Sequence, residues 1–357
     1  MNENLPGPDP PHISQAEALL KHSQHSGIVG ALSTAIDPMS LPTAILRVGQ
    51  KGRTWGMPRR FATYRAVSYE LLSVRGAAPK CIIRSEHDPN DWYIAKSAEA
   101  WDKIETITEL LNNLLGQRLG FPMAHAGLLY ADGELRFASH NFLEENESLI
   151  HGSVLFQGAF NDDLADVGKN NWDEQRTFDI ELIHAVLHEK CGDTAVDELF
   201  ARLIEMLVFD ALIGSMDRHM QNWGVIASVS EPRTYRFAPI FDSARALLWD
   251  YEESKLKTLL TNRAALEGYI NRSRPKIGCA KIGHVNHFGL IRHLITKYPG
   301  PTREALSKIE PNKVSAASKI VREFPFHRFF SPDRKKIVRH VLALRADTLN
   351  QIAREGR

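Results

Sequence analysis

Between Thr194 and Gly214 apolar residues return at helical spacing, with Leu199, Leu203, Leu207 and Ile213 on one stripe, and the run breaks at Gly214. Such a helix must bury its stripe, so the chain just beyond its end is held at a fixed place in a packed body. At that place stands Ser215-Met216-Asp217-Arg218-His219-Met220-Gln221-Asn222, a loop presenting an Asp, a His and an Asn. Two β-prone runs come next, Trp223 to Ala227 and Tyr235 to Phe241, joined by the turn-forming stretch Ser228 to Thr234. A hairpin there brings the chain back and delivers Asp242 beside the loop.

The rest of the chain divides by period. Cys81-Ile82-Ile83 and Trp92-Tyr93-Ile94 flank the turn-rich stretch Ser85 to Asp91, and Leu128-Leu129-Tyr130 and Leu135-Arg136-Phe137 flank an Asp132-Gly133 step, so each pair reads as a hairpin. Between them Ile104, Ile107, Leu111, Leu114 and Leu115 mark a helix over Ala98 to Arg118, stopped by Gly120 and Pro122. Beyond Gly158 helical spacing dominates, with runs at Ile180 to Lys190, His284 to Tyr298 and Arg334 to Arg354. The expectation is an α+β protein in three parts. Residues 1–60, with no clear period apart from a Ser14-x-x-Glu17 capping box, form an N-terminal extension; 61–156 form a β-rich part and 157–357 a helical one.

Hydrophobic residues make up 43% and charged residues 24%, a composition that suits a packed globular chain and excludes a disordered one. Lys plus Arg total 44 against 43 Asp plus Glu, so the net charge of +1 gives no overall pull toward nucleic acid or an anionic membrane. Cys81, Cys191 and Cys279 stand far apart, which fits neither a disulfide framework nor a CxxC metal site and points to a reducing cytosol. No window approaches the roughly 20 apolar residues that span a bilayer, and the first residues lack the pattern of a secretory leader.

A carboxylate, an amide and a second carboxylate brought together by one hairpin suit phosphoryl transfer, in which the protein positions the attacking oxygen and neutralises charge. One carboxylate orients the acceptor hydroxyl and receives its proton. The other, with the amide oxygen, supplies the oxygen ligands that Mg²⁺ prefers.

The order Asp217-x-His219-x-x-Asn222, then Pro239-Ile240-Phe241-Asp242, resembles the catalytic and metal-binding elements of HipA-like serine/threonine kinases. Ser73-Val74-Arg75-Gly76-Ala77-Ala78-Pro79-Lys80 resembles that family's phosphate loop, in which small residues let backbone N–H groups approach the nucleotide. Lys96 matches the strand lysine on the α- and β-phosphates, Glu109 its helical partner, and Ser139-His140-Asn141-Phe142 the adenine-binding hinge.

The resemblance implies a two-lobed protein-kinase-like fold with ATP between the lobes. It assigns Asp217 as catalytic base, His219 as support for the loop or the developing charge, and Asn222 and Asp242 as Mg²⁺ ligands. Ser73, Gly76, Ala77, Lys80, Lys96, Glu109, Ser139, Asn141 and Phe142 would bind the nucleotide. It also implies a protein substrate, autophosphorylation at Ser73 and an antitoxin or other regulatory partner, while the near-neutral charge gives no support for direct nucleic acid contact and no amphipathic basic helix favours a membrane. Residues 1–60 do not resemble the small N-terminal subdomain of full-length HipA toxins.

Each residue also has a plainer reading. Asp217 and Asn222 taken alone would cap and turn a helix end, Lys80 and Lys96 would be solvated, and Glu109 would lie on a helix surface. Asp210 reads as an anchor of the loop through hydrogen bonding. Two further functions share these features: a kinase of a lipid or small molecule, and a catalytically inactive ATP-binding module of a toxin–antitoxin or defence system.

Overall fold

The computed structural model describes residues 43–46, 54–55, 64–68, 80–85, 92–97, 103–131, 134–160, 174–231, 233–279 and 283–356. The Ser14–Glu17 box and Ser73, Gly76 and Ala77 lie outside the described residues, and Lys80 is described by its backbone alone.

The N-terminal lobe is built on one antiparallel sheet. Its strands are β1 (Thr43–Leu46), β2 (Thr54–Trp55), β3 (Tyr64–Ser68), β4 (Lys80–Ser85), β5 (Trp92–Ser97), β6 (Ala126–Ala131) and β7 (Glu134–His140). They lie in the order β1-β3-β4-β5-β7-β6-β2. β4 and β5 pair antiparallel, in a register that sets Lys80 opposite Lys96. β6 and β7 also pair antiparallel, with Ala131 opposite Glu134. β1 and β2 come from the first sixty residues, so part of that stretch joins this sheet.

One helix, α1 (Lys103–Arg118), covers the sheet. Ile107, Leu110, Leu111 and Leu115 are buried in one cluster with Leu128 and Phe137. Each such side chain contributes about 2 kcal/mol by leaving water. Asn112 and Asn113 share that buried side, which marks the helix as more than a lid.

The chain then enters a mainly helical lobe. β8 (Glu147–His151) pairs with β9 (Gly224–Ser228), and β9 with β10 (Tyr235–Phe237), giving a small antiparallel sheet beside the helices. The helices are α2 (Gly152–Phe160), α3 (Glu174–Thr177), α4 (Ile180–Cys191), α5 (Asp193–Ile213), α6 (Glu253–Thr261), α7 (Arg263–Arg272), α8 (His287–Lys297), α9 (Pro299–Ser307), α10 (Pro311–Ala317), α11 (Phe326–Phe329) and α12 (Pro332–Glu355).

α5 is the axis of this lobe, packed by α4, α8, α9 and α12. Every residue from Leu203 to Ile213 is buried, a wider burial than the single stripe read from the sequence. Gly214 ends it with a left-handed φ of 69°, a conformation that glycine adopts without steric cost.

The second strand of the hairpin is shorter than expected and ends at Phe237. Pro239 has no N–H to give a ladder. Ile240 turns instead to the lobe junction, where its N–H donates to the Pro122 carbonyl at 2.7 Å and its carbonyl accepts from the Ala124 N–H at 3.1 Å. The residue two before Asp242 is thereby fixed against the segment linking α1 to β6.

Candidate active site

A cleft of about 690 Å³ lies between the lobes. Ile94, Phe137, Leu149 and Ile240 contribute apolar wall, and Lys96, Glu109, Ser139, Asn141, Phe142, Asn222 and Asp242 also line it. Seven of the residues singled out in the sequence therefore share one cavity. Asp217 and His219 are not among its lining residues and stand in the loop beside Asn222.

Lys96 links the two lobes. Its Nζ lies 3.1 Å from Glu109 Oε1 on α1 and 2.9 Å from Asp242 Oδ1 across the cleft. Burial alone would lower the pKa of the ammonium, but the carboxylates of Asp242 and Glu109 outweigh it and hold the pKa above its ordinary value. Burial pushes the Glu109 carboxyl up to about 7, against the opposing pull of Lys96 and with a further push from Asp242. One ammonium shared by two carboxylates cannot fully compensate either, and the more deeply buried one gives way.

Arg218 organises the loops, and the sequence reading gave it no role of its own. Its guanidinium is buried and grips Asp210 with two nitrogens, at 2.9 and 3.0 Å. The same group donates to the carbonyls of Asn222 at 2.8 Å and of Phe241, and to Ser243 Oγ at 2.9 Å. A single side chain thus ties the end of α5, the Asp217–Asn222 loop and the Asp242 turn into one body. Burial works against the charged form, and Asp210 more than offsets this, so the pKa of Arg218 is raised. Asp210 is the anchor expected of it.

The turn needs that support. Asp242 has a φ of 55° and the buried pair Leu247 and Leu248 have φ of 47° and 64°, left-handed values that branched side chains rarely take. Asn112 of α1 donates to the Ser243 carbonyl at 2.6 Å, a second link from the upper lobe to this turn. Arg334 of α12 donates to the carbonyls of Leu248, at 2.9 Å, and Tyr251.

Within the loop, Asn222 Nδ2 donates to the Asp217 carbonyl at 2.7 Å, which spends the nitrogen end of the amide and leaves Oδ1 as an oxygen donor. His219 Nδ1 accepts from the Gln221 N–H at 3.2 Å, so that nitrogen shapes the loop. Arg245 Nη1 lies 3.5 Å from Asp217 Oδ2 and its Nε 4.0 Å from Glu105 Oε1 on α1. At the hinge, Asn141 spends its side chain on both backbone groups of Leu143, and Phe142 stacks on Phe241 with centroids 5.8 Å apart.

Behind the loop, buried His287 places Nε2 2.7 Å from the Ser215 carbonyl. Burial, with help from nearby Arg345, pushes its pKa down to about 3, so the ring is neutral and Nε2 carries the proton it donates.

The oxygen donors Asp242 and Asn222 beside Lys96 fit a hard divalent cation bound to a polyphosphate. Two protein oxygens with waters and phosphate oxygens make up the set that Mg²⁺ favours. Among the described residues no group of three His, Cys, Asp or Glu side chains is placed to hold a metal. No described helix is long and apolar enough to cross a membrane.

The sequence matches a family model, the HipA-like C-terminal domain, over residues 72–294. Among solved structures the chain is similar to the Helicobacter pylori proinflammatory kinase CtkA, with 18% identity and a TM-score of 0.61 over 78% of this chain and 94% of that one. It is also similar to HipA of the Shewanella oneidensis toxin–antitoxin system, solved with HipB and operator DNA, at 12% identity and a TM-score of 0.49 over 79% of this chain and 67% of that one. No curated protein sequence matches the chain. The match to the family model extends over more than half of the residues, and the chain belongs to the family of HipA-like C-terminal domains, with a two-lobed, protein-kinase-like fold.

Proposed function

We propose that the chain is an ATP- and Mg²⁺-dependent serine/threonine protein kinase of HipA-like type, transferring the γ-phosphate to a protein hydroxyl. The observation that carries this is Lys96, whose ammonium reaches Glu109 in the upper lobe and Asp242 in the lower one at the same time. A cation held between two carboxylates in the wall of a largely apolar cleft is placed for the α- and β-phosphates of a nucleotide whose base lies against Ile94, Phe137, Leu149 and Ile240.

In this reading the backbone around Ser139, Asn141 and Phe142 meets the adenine, and Ser73, Gly76, Ala77 and Lys80 cradle the phosphates. Asn222 and Asp242 hold Mg²⁺, which neutralises charge on the phosphates when bound. Asp217 accepts the proton of the acceptor hydroxyl. His219 holds the loop in shape, and Ser73 is an autophosphorylation site. Because a relative is solved with the antitoxin HipB, a regulatory protein partner belongs to the proposal.

The test uses radiolabelled ATP with magnesium on the natural chain, Asp217→Ala and Asp242→Ala. The natural chain is expected to label itself or an added protein, and both variants to lose at least about 100-fold, the scale of removing a positioned base or charge clamp. Full labelling by either variant sinks the assignment. Phosphopeptide mapping of the labelled chain checks Ser73.

A further inference from the structure

A second cavity, of about 640 Å³, opens where the end of α7 meets the start of α8, and Asn271, Arg272, Arg274, His284, Val285, Asn286 and Gly289 line it. Arg272 and Arg274 are exposed, and among the described residues neither has a carboxylate partner. Arg272 spends only its Nε, on the Gly268 carbonyl at 3.0 Å. Two guanidinium forks facing one cavity, in a chain of net charge +1, concentrate positive charge that is absent from the composition as a whole.

The walls around these cations are fixed. Buried Gln175 donates to the carbonyls of Pro275 and Val285, at 2.5 and 3.0 Å, and accepts from the Val285 N–H at 3.1 Å, so one amide holds both walls. Asn286 reaches across to the Asn271 carbonyl at 3.2 Å. Binding here would order few side chains beyond the guanidinium groups themselves, which limits the entropic cost.

The cavity is also joined to the catalytic loop. His287 comes directly after the lining residue Asn286 in sequence. Its N–H donates to the carbonyl of Ser273, the residue between the two arginines, and its ring holds the Ser215 carbonyl, two residues before Asp217. At the loop itself the half-exposed Arg245 sets a third cation beside the Asp217 carboxylate.

We infer that this cavity is a docking site for an acidic segment of the protein acceptor, with Arg272 and Arg274 pairing with its carboxylate or phosphoseryl groups while the hydroxyl to be modified lies at Asp217. The inference rests on the kinase reading for its meaning, and binding alone tests it separately.

The experiment measures fluorescence anisotropy of three labelled peptides: a glutamate-rich one with a central serine, its phosphoserine counterpart and a lysine-rich control. The full-length chain is used as the natural protein, as Asp217→Ala, as Arg272→Glu/Arg274→Glu and as the milder Arg274→Ala. The acidic peptides should bind the natural chain and Asp217→Ala equally. Binding should weaken at least about 10-fold in the double reversal and about 3-fold in Arg274→Ala, and it should weaken as salt is raised. Unchanged nucleotide binding by both arginine variants shows that they are folded, and a preference between the two acidic peptides tells carboxylate from phosphate recognition.

Equal binding of the acidic and lysine-rich peptides overturns the inference, as does unchanged acidic-peptide binding by the folded double reversal. Arginine-dependent binding without any phosphoryl transfer by the natural chain leaves the docking site standing and removes the kinase reading.

Discussion

Arg218 and Asp210 form a two-nitrogen ion pair at 2.9 and 3.0 Å, and both side chains are only 1% exposed. Their attraction works at low dielectric, but so does the cost of taking both charges from water, and the pair by itself is a weak source of stability. Its importance is geometric, because the remaining nitrogen of Arg218, Nη1, holds the backbone carbonyls of both Asn222 and Phe241. Breaking the pair from one side leaves a buried charge without a partner.

Asp210→Asn and Arg218→Met are therefore each expected to lower unfolding free energy by about 3 to 5 kcal/mol, and to reduce nucleotide binding in whatever fraction stays folded. Urea denaturation of the two single variants and the double variant gives the coupling. Singles within about 1 kcal/mol of the natural protein would show that the pair does not hold the loops.

His287 and Glu109 give stability opposite dependences on pH. The His287 pKa is about 3 folded against 6.5 in its ordinary state, so the unfolded chain binds the extra proton and stability is lost as pH falls from 6.5 toward 3. The Glu109 pKa is about 7 folded against an ordinary 4.5, so the folded chain binds the extra proton and this contribution is lost as pH rises from 4.5 to 7. Relative to the natural chain, Glu109→Gln should gain about 1 to 3 kcal/mol between pH 5 and 7 and nothing further above that. His287→Phe should be less sensitive to acid below pH 6. Denaturation curves at stepped pH decide both, and parallel profiles for all three chains would refute the assignment of these protons.

Gly224 begins β9, and a Cβ there would strike the Ile150 carbonyl of the neighbouring strand. Gly224→Ala is expected to cost about 3 kcal/mol or more by prising β8 from β9, next to the Asp217–Asn222 loop. Gly120, with a φ of 77° and open space around it, should cost only about 1 kcal/mol on replacement by alanine. Thermal unfolding of the two variants, with comparable losses, would argue against this strand packing.

The parts of the site legible in the sequence were those carried by one local pattern. A long apolar helix, a break at Gly214, a polar loop and a hairpin are all read within fifty residues, and they lead to Asp217, Asn222 and Asp242. The functions of Arg218, Asn112 and Arg245 escaped because their partners are remote: Arg218 acts on carbonyls up to 24 residues away, and Asn112 on one 131 residues away. Asn112 did leave a trace, as a polar residue on the apolar side of a helix. The short helices α6, α7, α9 and α10 were not read from the sequence, since two or three turns carry too few apolar repeats to define a period. Pro239 is visible in the sequence, and its missing N–H ends the strand and diverts Ile240 to the lobe junction.

The last helix holds the floor of the candidate active site. Arg334 of α12 grips the carbonyls of Leu248 and Tyr251, and Arg345 donates to the Ala211 carbonyl at 2.7 Å, just before the turn into the Asp217–Asn222 loop. During synthesis Asp217 and Asp242 leave the ribosome about a hundred residues before these arginines do. A nascent chain can hold every proposed chemical group of the site and still lack its scaffold, so competence for phosphoryl transfer arrives as a late event of biogenesis.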